Sequence, residues 1–128
     1  MRRLPFAYGA LTVDPIDDRV LDSYLEPSRT DAGIRRDLTK FLTSISNRYT
    51  LEAAPKLANF DRPVLLAWDD EDRFFKWELA QRLAAAFPNA RLEKIARSKT
   101  FIPEDQPEEL AALVAAFARE PSEVLSRV

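Results

Sequence analysis

The sequence predicts an α/β protein in which a helical segment precedes a β-α-β-α unit. Three observations carry that expectation. Residues 64–68, V-L-L-A-W, form a continuous apolar run that opens after Pro63 and closes in the carboxylates 69–72, as expected of a strand buried on both faces. An amphipathic stretch and a second short apolar run follow, the order of a strand–helix–strand unit from a parallel sheet. The residues ahead of Asp61 instead repeat apolar positions at helical spacing. Polar residues gather where both strands end, and ligands of open parallel sheets sit at the carboxyl ends of strands.

The elements follow in order. Pro15 and the Asp17–Asp18 pair open a first helix with Val20, Leu21, Tyr24 and Leu25 on one side, expected to close at Pro27. Asp31 is the expected N-cap of a second helix. Its Ile34, Leu38, Phe41, Leu42 and Ile45 form one face that should be buried, with Arg35, Arg36, Asp37 and Lys40 solvated. A third helix is expected from about Thr50 to Phe60, carrying Leu51, Ala54 and Leu57. Pro55 should kink it or delay its start, because proline lacks an amide donor and clashes with the preceding turn.

After the first strand, a helix over 76–87 presents Leu79, Ala80, Leu83 and Phe87 on one stripe and stops at Pro88-Asn89. Arg91–Ala96 reads as the second strand. The last helix starts near Pro107, with Asp105 or Gln106 ahead of it, and buries Leu110, Leu113, Val114 and Phe117. Pro121 should end it, leaving Ser122–Val128 as a frayed tail. The chain thus divides into a helical segment, residues 1–60, and a strand–helix–strand–helix unit, residues 61–128.

Composition narrows the function. A hydrophobic fraction of 46% over 128 residues suits one globular domain. Nineteen basic residues balance 21 acidic ones for a net charge of −2, so nothing points to a nucleic-acid partner. Cysteine is absent, which removes disulfides and thiolate chemistry and fits a reducing compartment. No apolar run approaches the roughly 20 residues needed to span a bilayer. The opening MRRLPFAYGALTV resembles a leader, but Pro5, Tyr8 and Thr12 interrupt it. A cytoplasmic protein with no membrane partner and no cofactor is expected. Two glycines, Gly9 and Gly33, stand where average usage would give about nine, so the functional turns of such a fold are missing or rebuilt without glycine.

One feature of the strands is awkward. A two-stranded sheet is rarely stable without further strands or heavy helical cover. Val64–Trp68 looks like an interior strand with one neighbour missing, and an open apolar edge invites association. Its expected partner is a second copy, forming a homodimer, or a separate N-terminal half.

The combination P-V-L-L-x-W-x-x-E-D-x-F-F, x-L-A-x-R-L-A-A-A-F-P-N-A-R-L-E and S-K-T-F-I-P-E-D-Q-P-E-x-L-A resembles the last two sheet strands and last two helices of α/β-hydrolases. Residues 15–60 are similar to the later part of the cap that members of that family insert before the acid strand. The family's glycine at the strand end corresponds to Asp69, and its catalytic acid, three positions on, to Asp72. That acid orients a histidine and stabilises the imidazolium. The histidine directly precedes the aromatic residue of the last loop; here Phe101 follows Thr100, so Thr100 stands at the histidine position.

The chain contains no histidine and no G-x-S-x-G nucleophile elbow, and the oxyanion-hole loop belongs to an earlier strand. The resemblance therefore implies the C-terminal part of a hydrolase acting on an ester, amide, epoxide or related small apolar substrate. By itself this part is truncated and expected to be inactive.

Other readings of the same residues compete. The cluster 69–72 is a catalytic acid or divalent-cation site, or else a solvated turn with one member capping the next helix. A receiver-type magnesium site would need an Asp at the end of a later strand, where Arg97, Ser98, Lys99 and Thr100 stand instead. Trp68, Phe74, Phe75 and Trp77 are expected in the core rather than around a pocket. Arg97 and Lys99 near Glu104 and Asp105 are expected to form surface pairs rather than an anion site.

Overall fold

A computed structural model describes residues 10–69 and 71–120; Gly9, Asp70, Pro121 and the tail 122–128 lie outside the described residues. The chain is α/β and forms two compact units. One is Ile16–Pro55. Of the described residues, 10–15 and 56–120 fall in the other.

The first unit is helical. Helix α1 spans Asp18–Thr30 and starts where Asp17 Oδ1 accepts the Arg19 amide at 2.8 Å. Pro27 does not close it, contrary to the expectation. A proline in the last turn forfeits one amide bond, yet its own carbonyl still accepts the Asp31 amide at 3.0 Å.

Asp31 has extended backbone and separates α1 from α2, Ala32–Ser44. As expected, it caps α2: its Oδ1 accepts the amides of Gly33 at 2.6 Å and Ile34 at 3.1 Å. Any Cβ at Gly33 would lie 3.0 Å from that oxygen, so the tight cap favours glycine there. Arg35 Nη1 donates to the carbonyls of Ser28 and Arg29, satisfying acceptors at the end of α1. Helix α1 packs against α2.

The apolar stripe of α2 is a correction. Ile34, Leu38, Phe41, Leu42 and Ile45 were expected to be buried, and they are 43–65% exposed. Periodicity specifies which face of a helix is apolar; it does not supply something to cover it. Within this unit α1 is a small partner, and Leu21 is its one buried hydrophobic among the described residues.

Helix α3, Asn47–Ala53, begins before the expected Thr50 because Ser46 caps it, accepting the Arg48 amide. At Pro55, expected to kink this helix or delay its start, the helix type changes, the chain continuing as a 3-10 helix over Ala54–Asn59.

The second unit holds the sheet. Strand β1, Val64–Asp69, and strand β2, Ala90–Ile95, run parallel, with Val64 opposite Ala90 and Asp69 opposite Ile95. Among the described residues the sheet has these two strands. The run Val64–Trp68 is half-buried rather than enclosed on both faces, because β1 has a strand neighbour along one edge.

Helix α4, Trp77–Ala84, connects the strands and packs on both. It ends earlier than Phe87: the amides of Ala86 and Phe87 turn back to Leu83 and Ala84 in a tighter coil. Ala80 is fully buried, whereas Leu79, expected beside it, is 41% exposed. The Phe87 ring instead meets Phe60 edge-on, with centroids 6.1 Å apart.

A short helix α5, Ile102–Asp105, was not foreseen. Helix α6, Pro107–Arg119, begins at the expected proline with Gln106 as its N-cap residue and packs against β1. Arg91 on β2 joins α6 by donating to Glu120 Oε1 at 2.6 Å, its guanidinium 5.5 Å from the Phe117 ring. Val114, expected in the core, is half-exposed.

Candidate active site at the carboxyl ends of β1 and β2

Parallel pairing puts the C-terminal ends of β1 and β2 side by side, Asp69 opposite Ile95. Both strands therefore release their loops at the same edge. The loop after β1 carries Glu71 and Asp72; the loop after β2 carries residues 96–101.

Asp69 is buried, 6% exposed, and its Oδ1 accepts the Asp72 amide at 2.9 Å. Asp72 repeats the device, with Oδ1 accepting the Phe74 amide at 2.5 Å. Both bonds join a carboxylate to an amide two or three residues on, in a stretch without glycine. The Oδ1 atoms of Asp69 and Asp72 are thus used within their own loop, and no side chain caps the next helix. Lys76 stands at the N-cap of α4 with no side-chain cap bond. Among the described residues no group of three or more His, Cys, Asp or Glu could hold a metal ion.

The two candidate residues meet. Thr100 Oγ1 donates to Asp72 Oδ2 across 28 positions of sequence. Both are half-buried. Asp72 thereby accepts a hydroxyl at Oδ2 and an amide at Oδ1. A threonine hydroxyl does not ionise near neutrality and has no second nitrogen to pass a proton onward. The pair can orient and accept, but it cannot act as a general base in the way an acid–imidazole pair does.

The loop after β2 is anchored residue by residue. Arg97 adopts a left-handed conformation, φ 53°, and its carbonyl accepts Gln106 Nε2 at 3.1 Å. Ser98 is fully buried; its hydroxyl donates to Ile95 O at 2.8 Å and its carbonyl accepts the Glu71 amide at 3.3 Å. The Lys99 amide donates to Asp105 Oδ2, and the Lys99 ammonium to Thr12 O, each at 2.9 Å. The Phe101 amide donates to Leu11 O at 2.9 Å.

Lys99 and Asp105 were expected to form surface pairs. They join backbone groups instead, because Thr12, 2% exposed, brings its carbonyl within reach. Nothing in the sequence linked segment 10–13 to positions some ninety residues later. The aromatic cluster is also corrected. Phe74 and Phe75 are 58% and 50% exposed, since they lie on the loop between β1 and α4. Trp68 Nε1 donates to Phe75 O at 2.7 Å, and the Trp77 ring carries the Lys94 ammonium 4.6 Å from its centroid.

No family model matches the chain. Over 104 residues it is 30% identical to a protein of Bacillus subtilis (strain 168) described as the uncharacterized hydrolase YugF. That similarity spans 81% of this chain and 37% of the relative, so the chain covers little more than a third of the length of the protein it matches. A hydrolase relationship is the level of description this similarity supports.

Proposed function

We propose that this chain is the acid-and-loop portion of an α/β-hydrolase, with residues 1–60 its cap-like segment and 61–128 the end of its sheet. Asp72 occupies the position of the catalytic acid and Thr100 that of the histidine. The observation carrying this reading is the hydrogen bond from Thr100 Oγ1 to Asp72 Oδ2. Two loops at adjacent strand ends bring together the two positions singled out by the resemblance. The similarity to a hydrolase over most of this chain supports it further. The substrate class is an ester, amide, epoxide or related small apolar compound.

The chain by itself does not hydrolyse such compounds, because it supplies neither an elbow serine nor an imidazole. The test is turnover of p-nitrophenyl esters by the purified chain beside its Asp72→Ala variant. Equal rates at the buffer background are expected. A rate well above that of the variant overturns the inactivity.

The free edge of β1 favours a second, non-catalytic reading. Among the described residues β1 pairs on one side, and an unpaired edge of six residues is a template for another strand. A homodimer or a separate N-terminal half would complete it. Light scattering coupled to size exclusion decides between association and a lone chain; a monodisperse monomer removes the self-pairing version.

A further inference from the structure

We propose that Asp105 is a positioning residue that holds Thr100 on Asp72 by clasping the loop after β2 to chain segment 11–13. The proposal rests on the reading of Asp72 and Thr100 as the site pair. Asp105 is half-buried and uses both carboxylate oxygens. Oδ1 accepts the Val13 amide at 2.8 Å, 92 positions away, and Oδ2 accepts the Lys99 amide at 2.9 Å. One side chain thus bridges the two segments from one end.

Two further bonds close the clasp. The Lys99 ammonium donates to Thr12 O, and the Phe101 amide to Leu11 O, both at 2.9 Å. Thr100 is the residue between these two donors, and its hydroxyl meets Asp72. Arg97, the second residue of this loop, is in a left-handed conformation costly for a long side chain. A short loop with such a conformation near its start has other arrangements open to it, and the clasp selects the one that aims Thr100 at the β1 loop. Charge strengthens this hold, because a carboxylate receiving amide donors and an ammonium on a carbonyl are both charge-assisted bonds.

The experiment is nuclear magnetic resonance on the 128-residue chain and its Asp105→Ala, Asp105→Asn and Asp72→Asn variants. Two signals are read: hydrogen exchange of the Phe101 amide, and the carbon shift of the Asp72 carboxyl group. Asp105→Ala is expected to speed Phe101 exchange at least tenfold, although Asp105 does not itself bond that amide. It should also move the Asp72 carboxyl signal most of the way to its value in Thr100→Val. Exchange of Leu66 and Leu92 in the strands should stay as in the parent. Asp105→Asn, which keeps an oxygen for Val13, should fall between. Asp72→Asn should leave Phe101 exchange unchanged, since it breaks the pair without opening the clasp.

Phe101 exchange and an Asp72 signal unchanged in Asp105→Ala would overturn the proposal. Should that variant lose strand protection altogether, Lys99→Met serves instead, removing the ammonium bond to Thr12 alone; faster Phe101 exchange supports the clasp and unchanged exchange sinks it. These readouts do not involve turnover, so an active chain would overturn the inactivity and leave the clasp standing.

Discussion

At the scale of single residues, the candidate site turns on the hydroxyl of Thr100. Thr100 gives Asp72 a donor, and removing it leaves a half-buried carboxylate oxygen short of a partner. Thr100→Val preserves the shape and should lower stability by about 1 kcal/mol, toward the low end for such losses because water reaches part of the carboxylate. Urea unfolding measures it; no loss would mean water replaces the hydroxyl without cost. Arg97 offers the opposite case. Its left-handed backbone costs roughly 1–2 kcal/mol, partly offset by the flexibility a glycine adds to the unfolded chain. Arg97→Gly should therefore raise stability by about 0.5 kcal/mol, visible as a higher urea midpoint with unchanged slope. Both candidate residues were legible in the sequence, because strand ends and motif order locate them. The bonds of Lys99 and Asp105 to segment 11–13 were not, since nothing local connects positions 87 and 92 apart.

At the scale of elements, caps and breakers behave largely as their chemistry dictates. Asp31 caps α2 with one oxygen on two amides, so Asp31→Ala should cost about 1 kcal/mol in the helical unit. The α2 stripe behaves differently. Leu38 is 46% exposed, and Leu38→Gln should change stability by no more than about 0.5 kcal/mol. A buried leucine at that position would lose about 2 kcal/mol or more on truncation, so chemical denaturation distinguishes exposed from packed. The two prolines differ in what their positions allow. Pro27 lies in the last turn of α1, where few amide bonds remain to lose, and Pro55 lies where the backbone passes into a tighter coil.

At the scale of the whole molecule, the two units differ in what holds them. The sheet unit contains the buried Ala80, Ile95 and Ile102, while Leu21 is the buried hydrophobic of the helical unit among the described residues. Opening should therefore need less free energy in residues 16–55 than in the strands. Hydrogen exchange is expected to report that order. Ile95, 2% exposed, is the point of greatest leverage: Ile95→Ala should cost about 2–4 kcal/mol and raise exchange in β1 and β2. Uniform acceleration across 16–55 as well would show that the units open together. The second edge of β1, unpaired among the described residues, also belongs to this scale, since a sheet edge is a property of what the chain meets.

The sequence by itself determined the α/β order of elements, the Asp31 cap of α2, and the placement of Asp72 and Thr100 just past two strands. Those features depend on residues within a few positions of one another. The tertiary structure alone decided that the Thr100 hydroxyl reaches Asp72, that segment 11–13 anchors the second loop, and that the apolar face of α2 stays exposed. Strand register sets which distant groups come within bonding distance, and burial depends on whether a complementary surface exists. Neither quantity is encoded in any short stretch of chain.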